Sequence, residues 1–346
     1  MKSDGVIFVA VSNHEIKGRI QRFDFVVVCI HKVSVYVRGE KIRNYILIAS
    51  LLILNINCNN LDNKNSNQKK IPIILDTDAN NELDDQHAIA YMLFSQDIFD
   101  IRAITVNETY SGGELKNHVD EATRIVNLCG YENRIKIIPG ASGNFNEISK
   151  NINEKEFDGN KAVDFIIETA EKMKNEKLIL IPIGKLTNIS LALHKKPEIA
   201  KKIKVIWLGS NWPKPGEYNL KNDPSSVNTI LENPEVEFEI VTVRYGETSG
   251  TDAVKISVDE IKRKMIGLGP KIKNSVVGRH GGTFNNFGDY SIELFVKYGH
   301  DTRPLFDLCA LSILKNPNWA EKKLSLIHIS EPTRQAEISY AVFCLK

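Results

Sequence analysis

Six short apolar runs alternate with helical patterns between residues 71 and 243, and this alternation restricts the chain to few architectures. The runs are "IPIIL" (71–75), "IRAITV" (101–106), "IKIIPG" (135–140), "KLILIPIG" (177–184), "KVIWLG" (204–209) and "EFEIVTV" (237–243). Apolar runs of this length, bounded by Pro, Gly or Asp, are expected to be buried strands. Between them lie "DDQHAIAYMLFS", "GGELKNHVDEATRIVNLCG", "NKAVDFIIETAEKMKN", "TNISLALHKKPEIAKKI" and "DPSSVNTILENP", with apolar residues at helical spacing. The pattern predicts an α/β fold, a mainly parallel open sheet with helices on both faces and a Rossmann-like core. Right-handed crossovers put the C-terminal ends of the strands on one edge, where such sheets bind ligands. Asp76, Asp78, Asn107, Ile183, Gly184 and Asn211 should therefore converge on one rim.

The polar residues at that rim are unusually acidic. "DTDANNELDD" places Asp76, Asp78, Glu82, Asp84 and Asp85 between the first strand and the first helix. A helix N-terminus favours one acid by about 0.3–1 kcal/mol, which is too little for four. Two carboxylates 4 Å apart repel by roughly 4 kcal/mol at an effective dielectric of 20. The cluster must bind a cation or hold protons. Carboxylates with backbone carbonyls form a hard, all-oxygen site that suits Ca²⁺ and, less well, Mg²⁺. The spacing is not that of an EF-hand loop.

"DTDANNELDD" resembles the D-x-D-x-G-x-D-D signature of the inosine–uridine nucleoside hydrolase family, with "ANNEL" as a longer spacer that lacks the Gly. Three further segments follow in the family's order. "IPIGKLTNISLAL" (181–193) resembles its G-x-L-T-N stretch and "NWPKPGEYNLKNDP" (211–224) its N…E-[FY]-N…DP segment. "RPLFDLCALSIL" (303–314) resembles its late H-D-x-x-A motif, with Phe306 in the place of the His. The resemblance covers about residues 71–320 and implies hydrolysis of the N-glycosidic bond of ribonucleosides to base and ribose, in purine or pyrimidine salvage. It implies Ca²⁺ as cofactor, held by Asp78, Asp85, Asp307 and the backbone carbonyl of Ile183, with Asp78 also the general base. It further implies that Asp84, Asn107, Asn211, Glu217 and Asn219 hold the ribose, that Asp76 supports them from behind, and that Glu82 is solvated. With Phe306 replacing the His, the leaving-group contact stays open among Trp212, Phe306, His280, His300, Arg303 and Tyr298. Two alternatives remain: a non-catalytic, calcium-dependent nucleoside- or sugar-binding lipoprotein, and a haloacid-dehalogenase-type phosphatase with Asp76 as nucleophile.

Composition excludes other classes. The 346 residues are 42% hydrophobic and 25% charged with a formal net charge of +2, which is ordinary for a globular protein and gives no nucleic-acid surface. The five cysteines form no CxxC pair, so neither a zinc knuckle nor a disulfide framework is expected. Both ends look foreign to the middle. Residues 41–58 resemble a bacterial lipoprotein signal, with an apolar stretch of about a dozen residues and Cys58 as the lipidated residue. They would anchor the protein in the cell envelope; a cytoplasmic location is the alternative. Residues 59–70 form a polar linker to a hydrolase-like domain at 71–323, and a homodimer or homotetramer is the assembly the resemblance implies. Residues 1–40 are a doubtful upstream segment, which requires a non-methionine start near residue 41. Residues 324–346, "LSLIHISEPTRQAEISYAVFCLK", resemble a translated sequencing adapter, so the domain is expected to be C-terminally truncated and no function is assigned to His328 or Cys344.

Overall fold

The computed structural model describes residues 69–212 and 214–327, with separate strands at Val6–Val11 (β1), Asp24–Cys29 (β2) and, late in the chain, Ile338–Leu345. Cys58 and residues 41–58 lie outside the described residues, as does the linker up to residue 68. β1 and β2 pair antiparallel as a separate hairpin.

The six apolar runs all form strands: Ile71–Thr77 (β3), Phe99–Val106 (β4), Ile137–Pro139 (β5), Leu178–Pro182 (β6), Ile203–Leu208 (β7) and Glu237–Val241 (β8). They pair in parallel in the order β8-β7-β6-β3-β4-β5. Short two-stranded pairings are made by Lys255–Ser257 (β9) with Thr302–Pro304 (β12) and by Val276–Val277 (β10) with Thr283–Phe284 (β11). Beyond β8, Ile338–Leu345 (β14) runs parallel to it, and Ala320–Ile327 (β13) pairs antiparallel with β14.

The strands alternate their side chains between two apolar layers. Ile73 and Leu75 of β3, Ile179 and Ile181 of β6, and Ile206 and Leu208 of β7 face one cluster. Ile74, Leu180, Val205 and Trp207 face the other. Burial on both faces explains why these runs are continuously apolar. The Asp84–Leu93 helix packs into the first layer and every one of its residues is buried. The chain enters the sheet at β3, builds outward through β4 and β5, then returns to build from β6 through β8 on the other side. The strand order therefore reverses between β3 and β6, where a doubly wound sheet opens a crevice at its carboxyl edge. The Ile183 N–H donates to the Asp76 carbonyl at 2.8 Å and fixes the two strand ends side by side.

His87 belongs to this packing. Its ring nitrogens meet the Leu83 carbonyl and the Ser291 hydroxyl, each at 2.7 Å, and Phe287 and Phe295 pack edge-on against it. Burial lowers its pKa from 6.5 to about 4. The folded protein thus keeps His87 neutral at a pH where the unfolded chain protonates it, and stability falls as pH drops from about 6.5 to 4. Urea unfolding at pH 7 and pH 4.5 should show about 2 kcal/mol less acid destabilisation in His87→Leu than in the wild type; equal acid losses would remove His87 as their source.

Candidate active site

The acids at the end of β3 are fixed by the strands beside it. Asp76 is 1% exposed and accepts from Thr105 Oγ1 at 2.6 Å, Asn188 Nδ2 at 2.8 Å and Asn107 Nδ2 at 2.9 Å. Asn188 also accepts from the Ala141 N–H at 2.9 Å, which gives the Asn of "LTN" its function: it joins β3 to the loop after β5. Burial pushes the Asp76 carboxyl up to about 7 against the pull of these three donors. Asp78 Oδ2 accepts from Thr109 Oγ1 at 2.6 Å, and burial raises its pKa too. The backbone carbonyl of Asp78 accepts both the Asn81 N–H at 2.9 Å and His118 Nδ1 at 2.8 Å, which closes the turn before the helix.

Asp84 and Asp85 open that helix, and Asp307 arrives just before the Leu308–Lys315 helix. One carboxylate oxygen from each lies within 4.8 Å of the others, and all three residues are buried. Asp85 is held by Thr77 Oγ1 at 2.5 Å. Burial, then the negative charges of Asp78 and Asp84, raise Asp85 well above the usual carboxylate range. Burial, then Asp84, Asp85 and Asp78, do the same to Asp307, and burial brings Asp84 to about 6. These acids resist ionising together, so the cluster either keeps protons or balances its charge with a cation. With only oxygen donors present, the residues fit a hard divalent ion.

The cluster lines one wall of a cavity of about 220 Å³ that also includes Asp78, Ile183, Glu217 and Asn219. Glu217 caps the Tyr218–Asn222 helix, accepting the Asn219 N–H at 2.8 Å, the Leu220 N–H at 2.9 Å and the Ser210 N–H at 3.0 Å. Burial raises its pKa to about 7. Asn219 Nδ2 donates to the carbonyls of Ile183 at 2.9 Å and Leu208 at 3.0 Å, which leaves its Oδ1 for a ligand and a second lone pair on Ile183.

Other residues singled out in the sequence sit elsewhere. Asn107 is fully buried beneath the rim, against Gly184 and bonded to Asp76, rather than lining the cavity. Asn211 Oδ1 accepts the Tyr245 N–H at 3.0 Å at the surface. Trp212 is 52% exposed and outside the cavity lining. His280 pairs with Glu293 at 3.3 Å, also outside it. Phe306 does line the cavity, with Tyr245 edge-on at 5.9 Å. Glu82 lines the cavity wall and pairs with Arg303, with 38% of its side chain still exposed. Thr77, Thr105, Thr109 and Asn188, which anchor the acids, went unnoticed in the sequence, since a hydroxyl or amide carries no pattern until its neighbouring strand is known.

Comparison with known proteins gives this geometry a context. The model of the family described as inosine-uridine preferring nucleoside hydrolase matches residues 73–339. An uncharacterized protein of Schizosaccharomyces pombe is 33% identical over 101 residues, which span 27% of this chain and 32% of that relative. Among solved structures, a plant nucleoside hydrolase superposes with a TM-score of 0.58 at 18% identity, covering 80% of this chain and 94% of the other. A purine-preferring ribonucleoside hydrolase from Gardnerella vaginalis gives 0.54 at 20%, covering 79% and 88%. An inosine-guanosine nucleoside hydrolase gives 0.58 at 16%, covering 80% and 88%. At these identities the superpositions establish the fold.

The raised carboxyls make a stability prediction with a definite sign. Asp76 and Glu217 keep a proton up to about pH 7 in the folded protein, whereas the unfolded chain releases it near 4. Stability without a bound cation should therefore rise as pH falls from 8 to 6.5, a range in which His87 is largely silent. Thermal melts in chelator should show this rise, and saturating calcium should raise the melting temperature most at pH 8. A chelated protein less stable at pH 6.5 than at pH 8 would contradict it.

Proposed function

Because the chain belongs to the inosine-uridine preferring nucleoside hydrolase family, whose members act on N-glycosyl compounds, we propose that it hydrolyses ribonucleosides to free base and ribose with Ca²⁺ as cofactor. The observation that carries this reading is the trio Asp84, Asp85 and Asp307, buried beside Asp78 and the Ile183 carbonyl in one cavity at the β3–β6 crevice. Asp78, Asp85, Asp307 and the Ile183 carbonyl would hold the ion. Its contribution when bound is Lewis acidity toward the attacking water and neutralisation of charge among the acids.

The chain's own residues supply the rest. Asp78, held at one oxygen by Thr109, takes the proton of the water that attacks the anomeric carbon. Asp84 accepts from a ribose hydroxyl. The Asn219 amide oxygen and the remaining acceptor capacity of Glu217 meet further hydroxyls, and Asn107 and Asn211 steady this wall from behind. Breaking the bond leaves an oxocarbenium-like sugar, which the surrounding carboxylates stabilise. Family membership sets aside the phosphatase alternative. Attachment to a bacterial envelope through Cys58, supported by the apolar run before it, and assembly as a dimer or tetramer belong to the same proposal.

A panel of ribonucleosides assayed for ribose release, with and without a calcium chelator, tests this reading. Release from at least one nucleoside, abolished by chelator and restored by calcium, is expected; no release from any would favour a binding protein. Asp78→Asn should lower kcat by about 10²–10⁴-fold with the melting temperature little changed, and retained turnover would remove Asp78 as the base.

A further inference from the structure

Gln86 directly follows Asp85 on the Asp84–Leu93 helix and, like it, is shut away from water. Its amide reaches back over the spacer between Asp78 and Asp84. Nε2 donates to the Ala79 carbonyl at 2.8 Å, to Glu121 Oε1 at 3.0 Å and to the Glu82 carbonyl at 3.2 Å. Three acceptors share its two hydrogens, and they fix which way the amide faces: turned over, its oxygen would meet two carbonyls and a carboxylate. Ala79 directly follows Asp78, and Glu82 stands two residues before Asp84. One side chain therefore holds both ends of the spacer.

That grip stands in for two ordinary devices. The helix starts at Leu83, whose side chain makes no capping hydrogen bond. Residues 79–83 all keep negative φ, so no left-handed residue turns the chain there. His118 Nδ1 and Arg279 Nη1 meet the Asp78 and Asn80 carbonyls, at 2.8 and 3.3 Å. Gln86 is the side chain among these that joins the spacer to the helix carrying the acids. Glu121 braces it from the Leu115–Leu128 helix. This fully buried carboxylate also accepts from Tyr290 Oη at 2.8 Å and pairs with Arg124. A carboxylate removed from water needs such partners, and a network satisfied this way is rigid. Tyr290 belongs to the Phe287–Tyr298 helix, and Arg124 Nε donates to the Val277 carbonyl at 2.7 Å, so the brace is anchored on further elements.

We propose that Gln86, braced by Glu121, is a positioning residue of the cation site: it ties both ends of the spacer to the Asp84–Leu93 helix and so sets how Asp78 stands relative to Asp84 and Asp85. The inference rests on the calcium reading above and deepens it, since neither Gln86 nor Glu121 lines the cavity. Calcium takes its oxygens at about 2.3–2.6 Å, which leaves little room for drift in the carboxylates that supply them. Outer partners that orient such ligands govern metal affinity by about 10–100-fold.

Calcium titration calorimetry on chelator-stripped protein, at a temperature where every variant is folded, tests this. Gln86→Met keeps the bulk and loses the donors, and it should raise the calcium Kd by about 10–100-fold. Ile89→Ala, a packing loss on the same helix, should lower the melting temperature and leave Kd within about twofold. Glu121→Gln keeps the shape and gives up the charge that holds Arg124. It should raise Kd by about threefold or more alone and add nothing to Gln86→Met, because it acts through the same amide. An unchanged Kd in Gln86→Met, an equal loss in Ile89→Ala, or additive losses in the double variant would overturn the proposal. Should Gln86→Met fail to fold, Glu121→Gln alone decides, and an unchanged Kd there overturns it. Ribose release enters nowhere in this comparison. Wild-type protein that binds calcium but cleaves no nucleoside therefore counts against the hydrolase reading alone, whereas protein that binds no calcium overturns both.

Discussion

The burial of several carboxylates side by side is the constraint around which this site is organised. Asp78, Asp84, Asp85 and Asp307 are almost wholly buried, which raises all four carboxyls, and the charges of Asp78 and Asp84 add to the cost of ionising Asp85 and Asp307. Such a group survives only if a cation is bound or if protons remain in place. The fold supplies rigid supports to hold the acids there regardless: Thr77 for Asp85, Thr109 for Asp78, and a threonine and two asparagines for Asp76. These hydroxyls and amides are donors placed at fixed points, so the carboxylates cannot turn away from one another.

The sheet decides where this takes place. Strand order reverses between β3 and β6, and the two strand ends are bonded together through Asp76 and Ile183. The cavity opens there, lined by Asp78 just after β3 and Ile183 just after β6. The architecture and the chemistry are therefore one decision: the acids stand at the only kind of position in a doubly wound sheet where a ligand can reach strand ends.

Much of this was legible in the sequence, for definable reasons. Period and composition predicted all six parallel strands, because strands buried on both faces must be apolar throughout. The acids were conspicuous because like charges rarely crowd at a strand end. Residues whose meaning depends on a neighbour distant in sequence were opaque. Thr105 and Asn188 are unremarkable until β4 and the Thr187–Lys195 helix are set beside β3. Glu82 looked solvated because its pairing with Arg303 shows only once the two are packed together. Trp212 is the converse, an aromatic that the sequence made a candidate for the leaving-group contact and which is half exposed, outside the cavity lining.

Asp307 lies far along the chain from Asp78, Asp84 and Asp85, and the Leu308–Lys315 helix that follows it packs against the Asp84–Leu93 helix. The cation site thus draws on both ends of the domain, and no fragment that stops short of Asp307 contains it. A nascent chain could build most of the parallel sheet and still present an incomplete ring of acids. A metal ion bound by these acids would then act as a late latch in folding: it would favour only chains whose Leu308–Lys315 helix has docked, and would stabilise the native state against unfolding by mass action.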